Sequence, residues 1–170
     1  MKLPNDIATL AAETIKALTA KGLTVSTAES CTGGLIVGAL TSISGSSDVV
    51  YGGFITYANE AKISQIGVPF ALLKQHGAVS EQVVIAMAEG ALGPAGTHIA
   101  IAVTGIAGPN GGSADKPVGL VHFALASDDE TKHVRKVFAK MDRDAVRHAT
   151  VVQALKMLRD FAKGEVGARG

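Results

Sequence analysis

Two potential nucleophiles, Ser30 and Cys31, stand side by side in the segment Thr27-Ala28-Glu29-Ser30-Cys31-Thr32-Gly33-Gly34. The segment lies between the short β-branched run Leu23 to Ala28 and an apolar run starting at Leu35, a pattern that predicts strand, tight polar turn and helix. A hydroxyl at such a junction is presented to the surface. The N–H groups of the first helical turn lack helical partners and point toward whatever binds there, so they can stabilise a developing oxyanion. Ser and Thr are also preferred helix caps and glycines shape turns, so the segment taken alone fits capping as well as catalysis. Cys31 competes with Ser30, because a helix N-terminus favours the thiolate. Yet none of the five histidines, His76, His98, His122, His133 and His148, lies in a motif that ties it to Cys31 as a base. A small buried cysteine beside a serine nucleophile is the simpler assignment.

A base for Ser30 is available at the end of a second strand, in Tyr57-Ala58-Asn59-Glu60-Ala61-Lys62. Strand ends on one sheet edge converge in space. A Lys62 amine desolvated beside Ser30 favours its neutral form and can take the serine proton, with Tyr57 relaying that proton or orienting the amine. An exposed helix lysine and a packed tyrosine are the alternatives, and Glu60 is a candidate ion-pair partner for a lysine. A third element is the loop Thr104-Gly105-Ile106-Ala107-Gly108-Pro109-Asn110-Gly111-Gly112. Its glycines allow several backbone N–H groups to approach an anion, although it matches neither the Walker pattern nor the dinucleotide fingerprint. A long turn wrapped over the sheet edge fits it too. Lys116, Arg143 and Arg147 are possible phosphate partners; the two arginines, four apart on a helix, fit equally well as solvated partners of Asp142 or Asp144. No His, Cys or acidic spacing suits a metal, so no catalytic metal and no cofactor are expected.

These residues need elements to hold them. Ile7, Leu10, Ala11, Ile15 and Leu18 recur at helical spacing between Pro4 and Gly22, which predicts a helix over 4–20. Strands are predicted at 23–28, 49–57 and 99–103, and helices at 35–43, 58–66, 68–75 and 81–92, the last capped by Ser80. The runs 118–126 and 132–139, joined by Asp128-Asp129-Glu130, read as a hairpin. A final helix is predicted from Arg143 to Ala162. Helices interleaved with buried strands predict a three-layer α/β/α sandwich on a mixed, mostly parallel sheet, in a single domain over 1–163 with a flexible tail over 164–170.

At 170 residues, with 47% hydrophobic and 18% charged side chains, the chain suffices for one domain with a real core. A net charge of +1, five Phe, two Tyr and no Trp argue against a nucleic-acid surface, which needs cationic excess and stacking platforms. The single cysteine excludes an internal disulfide and fits a reducing compartment. With no transmembrane run and no signal-like N-terminus, a cytoplasmic protein without membrane or nucleic-acid partners is expected. The apolar run 35–43 and the glycine-rich strand near Gly52 suggest more apolar surface than one domain covers, hence a symmetric homodimer.

The ordered blocks TAESCTGG (27–34), GSS (45–47), GGFITYANEAK (52–62), GVP (67–69), HGAVSE (76–81), VTGIAGPNGGSADKPVGLV (103–121) and DRDAVR (142–147) closely resemble the C-terminal domain family of the competence-damage-inducible protein CinA. The resemblance covers nearly the whole chain. It implies nicotinamide-nucleotide amidohydrolase activity: nicotinamide mononucleotide and water give nicotinate mononucleotide and ammonia, in pyridine nucleotide recycling. It also implies a serine–lysine mechanism that falls on Ser30 and Lys62, with Tyr57 assisting. The backbone of Cys31, Thr32, Gly33 and Gly34 is then the expected oxyanion hole. Gly45, Ser46 and Ser47, Asn59, the loop residues Thr104, Gly105, Ala107 and Gly108, and Arg143 are the expected substrate and phosphate contacts, by inference from chemistry. Two departures from the family pattern are Ser44 before GSS and Met141 before the DR pair. Larger relatives carry an additional N-terminal domain, whose activity is not expected here. A pocket that binds nucleotide without turnover, and an amidase for another carboxamide, are the competing expectations.

Overall fold

Ile7, Leu10, Ala11, Ile15 and Leu18 share the buried side of helix α1 (Asn5–Lys21). Gly22, at φ 62, ends that helix by donating to the carbonyls of Leu18 and Thr19, in the left-handed conformation that glycine adopts without a Cβ penalty. The computed structural model describes residues 3–165. Strand β1 (Val25–Glu29), buried along its whole length, is followed by α2 (Leu35–Thr41), a 3₁₀ turn (Ser46–Asp48) and β2 (Val50–Ile55). Next come α3 (Asn59–Ile66), α4 (Phe70–His76) and α5 (Glu81–Ala95), then β3 (Ile99–Gly105), β4 (Leu120–Ser127), β5 (Thr131–Val137) and α6 (Arg143–Lys163).

The five strands form one sheet in the order β2-β1-β3-β4-β5. Pairings of β1 with β2 and β3 are parallel and those of β4 with β3 and β5 are antiparallel, so only β4 runs against the rest. The sheet is therefore mixed and mostly parallel in direction, as the alternation of elements predicted.

Period-two alternation divides the sheet into two unlike faces. Ile99, Ile101, Val103, Val121, Phe123 and Leu125 pack under α1, α2 and α6. Ala28, Ala100, Ala102, Ala124 and Ala126 line the other face, under α3 to α5. An alanine floor brings α5 close to the strands, and α5 in turn is close to α3: a Cβ on Gly90 would run into the Ile66 carbonyl oxygen. Ser80 caps α5 by accepting from the Val83 N–H at 3.3 Å, as expected.

Several boundaries differ from the sequence-based expectation, and three of them have a clear local cause. Strand β3 continues through Thr104 and Gly105, because both pair with β4, opposite His122 and Val121; the glycine loop thus begins at Ile106. Helix α5 runs on to Ala95 with Pro94 in its last turn. Gly164, expected in a flexible tail, is the left-handed stop of α6 and donates to Asp160 and Phe161; residues 166–170 of that tail lie outside the described residues.

Candidate active site

Ser30 follows the carboxyl end of β1, and Thr56 and Tyr57 follow that of β2, its parallel neighbour. Lys62, in the second turn of α3, reaches back over this edge and is 1% exposed. Its Nζ lies 3.1 Å from Ser30 Oγ, 2.8 Å from the Thr56 carbonyl and 3.2 Å from the Tyr57 carbonyl. Burial holds its pKa below the ordinary lysine value, with the nearby Cys31 opposing. A neutral amine has two N–H bonds and one lone pair. With the two N–H bonds directed to the two carbonyls, the lone pair is left for the Ser30 hydroxyl proton. Ser30 itself is 8% exposed, so it retains an opening to solvent that Lys62 nearly lacks. Glu60 is exposed and makes none of the ion pairs among the described residues, which leaves the amine free to lose its charge.

Cys31 is a poor rival. Burial, reinforced by the charge of Glu29, pushes its thiol up to about 12, so it is protonated at neutral pH. It packs with the core cluster beneath α1, α2 and α6. Four of the five histidines bond elsewhere: His98 to Thr24, His122 to His133, and His148 to Asp6.

Of the two roles expected for Tyr57, relaying the proton or orienting the amine, its place fits the second, through the main chain. Its carbonyl orients the amine, whereas its ring is 62% exposed and its hydroxyl accepts from Arg143 Nη2 at 3.4 Å. Arg143 Nη1 donates to the Gly108 carbonyl at 2.8 Å, so this arginine ties the glycine loop to Tyr57 beside the site. Met141 does not disturb that placement, because Asp142 caps α6 through the Ala145 N–H at 2.8 Å.

Several expected contacts are elsewhere or already engaged. Gly45, Ser46 and Ser47 precede β2 and lie beside Val25, whose N–H donates to Val49. They are thus a full strand length, about 16 Å, from Ser30, at the opposite sheet edge within this chain. Asn59 is exposed at the start of α3. Thr104 Oγ1 donates to the Ala78 carbonyl at 2.9 Å, Gly105 is packed against Val121 and the Leu120 carbonyl, and Ala107 is buried in the core.

With this geometry in place, comparison with known proteins is informative. The profile of the CinA C-terminal domain matches residues 7–162. The chain belongs to that family. A CinA-like protein of Geobacter sulfurreducens is 55% identical over 82% of this chain and 33% of its own length; the chain spans about a third of such longer relatives. The nicotinamide-nucleotide amidohydrolase PncC of Escherichia coli K12 is 51% identical over 84% of this chain and 87% of its own length. The crystal structure of competence/damage inducible protein CihA from Agrobacterium tumefaciens superposes with a TM-score of 0.90 at 52% identity, covering 93% of this chain and 97% of that one.

In this CinA C-terminal domain the residue that sequence reasoning missed is Glu29. Its fully buried carboxylate accepts from Thr32 Oγ1 (2.6 Å), Val37 N–H (2.8 Å), Gly34 N–H (3.0 Å), Ile36 N–H (3.1 Å) and Thr27 Oγ1 (3.2 Å). Glu29, not Ser30 or Thr32, therefore caps α2. The Gly34 N–H expected in the oxyanion hole is already bound, and that of Gly33 donates to the Ser30 carbonyl at 3.1 Å. Among the described residues, only the N–H groups of Cys31 and Thr32 in this turn lack an acceptor. The overlooked signal was an acid inside an otherwise apolar, β-branched strand directly before a glycine turn, where an anion satisfies helix N-terminal donors.

Proposed function

We propose that this domain is a serine–lysine amidohydrolase whose substrate is nicotinamide mononucleotide. The supporting observation is the buried Lys62 amine, oriented by two carbonyls with its remaining valence toward Ser30 Oγ. The activity in the name of the similar Escherichia coli protein supplies the substrate. Ser30 Oγ attacks the carboxamide carbon while its proton passes to Lys62, and the oxyanion forms against the N–H groups of Cys31 and Thr32. Lys62 returns the proton to departing ammonia, and water, deprotonated by the same amine, releases nicotinate mononucleotide from Ser30. Arg143, beside Tyr57 and the glycine loop, is the proposed phosphate contact in place of the distant Gly45-Ser46-Ser47 turn. The protein acts in pyridine nucleotide recycling in the cytoplasm, as a homodimer.

The test is ammonia release from nicotinamide mononucleotide by metal-stripped protein, with Ser30→Ala and Cys31→Ala alongside. Ser30→Ala is expected to lose all measurable turnover and Cys31→Ala to stay within a few-fold of the parent. Saturable nucleotide binding without ammonia from the intact protein would overturn the proposal. Equal turnover of a carboxamide lacking the ribose phosphate would overturn its substrate.

A further inference from the structure

Arg147 was grouped by sequence with possible phosphate ligands, but the fold puts its guanidinium elsewhere. From the second turn of α6, Nε donates to the Cys31 carbonyl at 3.2 Å and Nη2 to the Thr32 carbonyl at 3.3 Å, while Nη1 stands 4.0 Å from Asp144. Gly33, at φ 59, lies beside it, where a Cβ would be in ordinary contact with Nη2 at 4.0 Å. The Cys31–Thr32 peptide unit, which carries the free Thr32 N–H, and the Thr32–Gly33 unit, whose N–H holds the Ser30 carbonyl, are thus fixed by a planar fork. The Glu29 carboxylate fixes the same turn from beneath through Thr32 Oγ1 and Gly34 N–H.

We propose that Arg147 is a positioning residue for the oxyanion hole: its hold on the Cys31 carbonyl fixes the plane of the Thr32 N–H, and its hold on the Thr32 carbonyl fixes the Gly33 N–H, whose bond to the Ser30 carbonyl sets the plane of the Cys31 N–H, so both free N–H groups stay aimed at the carboxamide oxygen. A backbone N–H has no rotamer of its own, so its direction is that of its peptide plane, and the carbonyls are the available handles. A guanidinium presents two parallel donors at a fixed spacing, whereas an ammonium is a single point of contact. This assignment rests on the serine–lysine mechanism proposed above and not on the identity of the substrate.

Labelling of Ser30 by diisopropyl fluorophosphate, followed by intact mass, tests it without any natural substrate. In that reaction the Ser30 Oγ–P bond forms, the P–F bond breaks, fluoride leaves, and the hydroxyl proton passes to the Lys62 amine, while the phosphoryl oxygen occupies the oxyanion hole. Arg147→Ala is expected to label about 10- to 100-fold more slowly, the range of a misaligned catalytic group or one lost oxyanion donor. With nicotinamide mononucleotide, kcat is expected to fall by the same factor and KM to stay within about two-fold. Arg147→Lys, which keeps the charge and reaches one carbonyl, should fall between, and it supplies the reading if thermal melting shows that Arg147→Ala is unfolded. An unchanged labelling rate with a raised KM would make Arg147 a substrate contact and overturn the proposal. A parent protein that labels but releases no ammonia refutes the substrate alone, and the labelling arms still decide. A parent protein that does not label overturns the serine mechanism and this assignment together.

Discussion

At the residue scale the decisive feature is a lysine with no counter-ion. Lys62 is held by two neutral carbonyls and a hydroxyl, so the desolvation that favours its neutral form prevails over the opposing influence of Cys31. The lowered pKa has a worked sign. Below the folded value Lys62 is charged and cannot accept the serine proton. As pH rises, kcat/KM should therefore climb about tenfold per pH unit and level off below the ordinary lysine value of 10.5. Stability shifts in the same direction: between the folded value and 10.5 the unfolded chain holds the proton more tightly, so stability rises with pH across that window. Lys62→Met should abolish turnover and flatten both profiles, as checked by initial rates and urea titrations at a series of pH values. Ser30 and Lys62 were legible in sequence because each follows a strand end. The roles of Glu29 and Arg147 were harder to read, because most of the groups that Glu29 holds and both acceptors of the Arg147 guanidinium in the turn are main-chain atoms, which a side-chain pattern does not encode.

At the element scale the sequence pattern was enough to place the six α-helices and five strands, and one of the misjudged boundaries, the end of β3, was set by a pairing partner. Thr104 and Gly105 have the composition of a loop; their inclusion in β3 follows from the opposing strand β4. The close packing of α5 against α3 was also invisible in sequence, since Gly90 and Gly93 are alike as letters. Gly90→Ala drives a methyl into the Ile66 carbonyl, while a methyl at position 93 meets nothing within 4 Å. Gly90→Ala should cost about 1–3 kcal/mol and lower turnover by shifting α3 and its lysine. Gly93→Ala should be neutral or gain up to about 1 kcal/mol. Chemical denaturation of the two variants, with rates measured on the folded fraction, separates these outcomes.

At the scale of the whole molecule, α2 covers most of its own apolar residues, with Ile36, Ala39 and Leu40 buried. Of the two places named from sequence, the glycine-rich strand near Gly52 is the one with uncovered apolar surface: it is edge strand β2, where Tyr51 is 62% and Ile55 39% exposed. An unpaired edge with aromatic and branched side chains is suited to pairing with a second chain. Under the proposed homodimer, ultracentrifugation should give twice the chain mass, and Tyr51→Lys should return it to the monomer. No helix among the described residues is long and apolar enough to cross a membrane.

The reach of Arg147 back to the Ser30 turn, 116 positions earlier in the chain at Cys31, has a bearing on synthesis. Domains generally fold as units as they emerge during translation. A nascent chain that already contains Ser30, Lys62 and the whole sheet still lacks α6, and with it the fork that fixes the turn. Under the proposed mechanism, full hydrolytic competence would arrive with the last helix, and prematurely terminated chains would carry the proposed nucleophile and base without the group that aligns the turn.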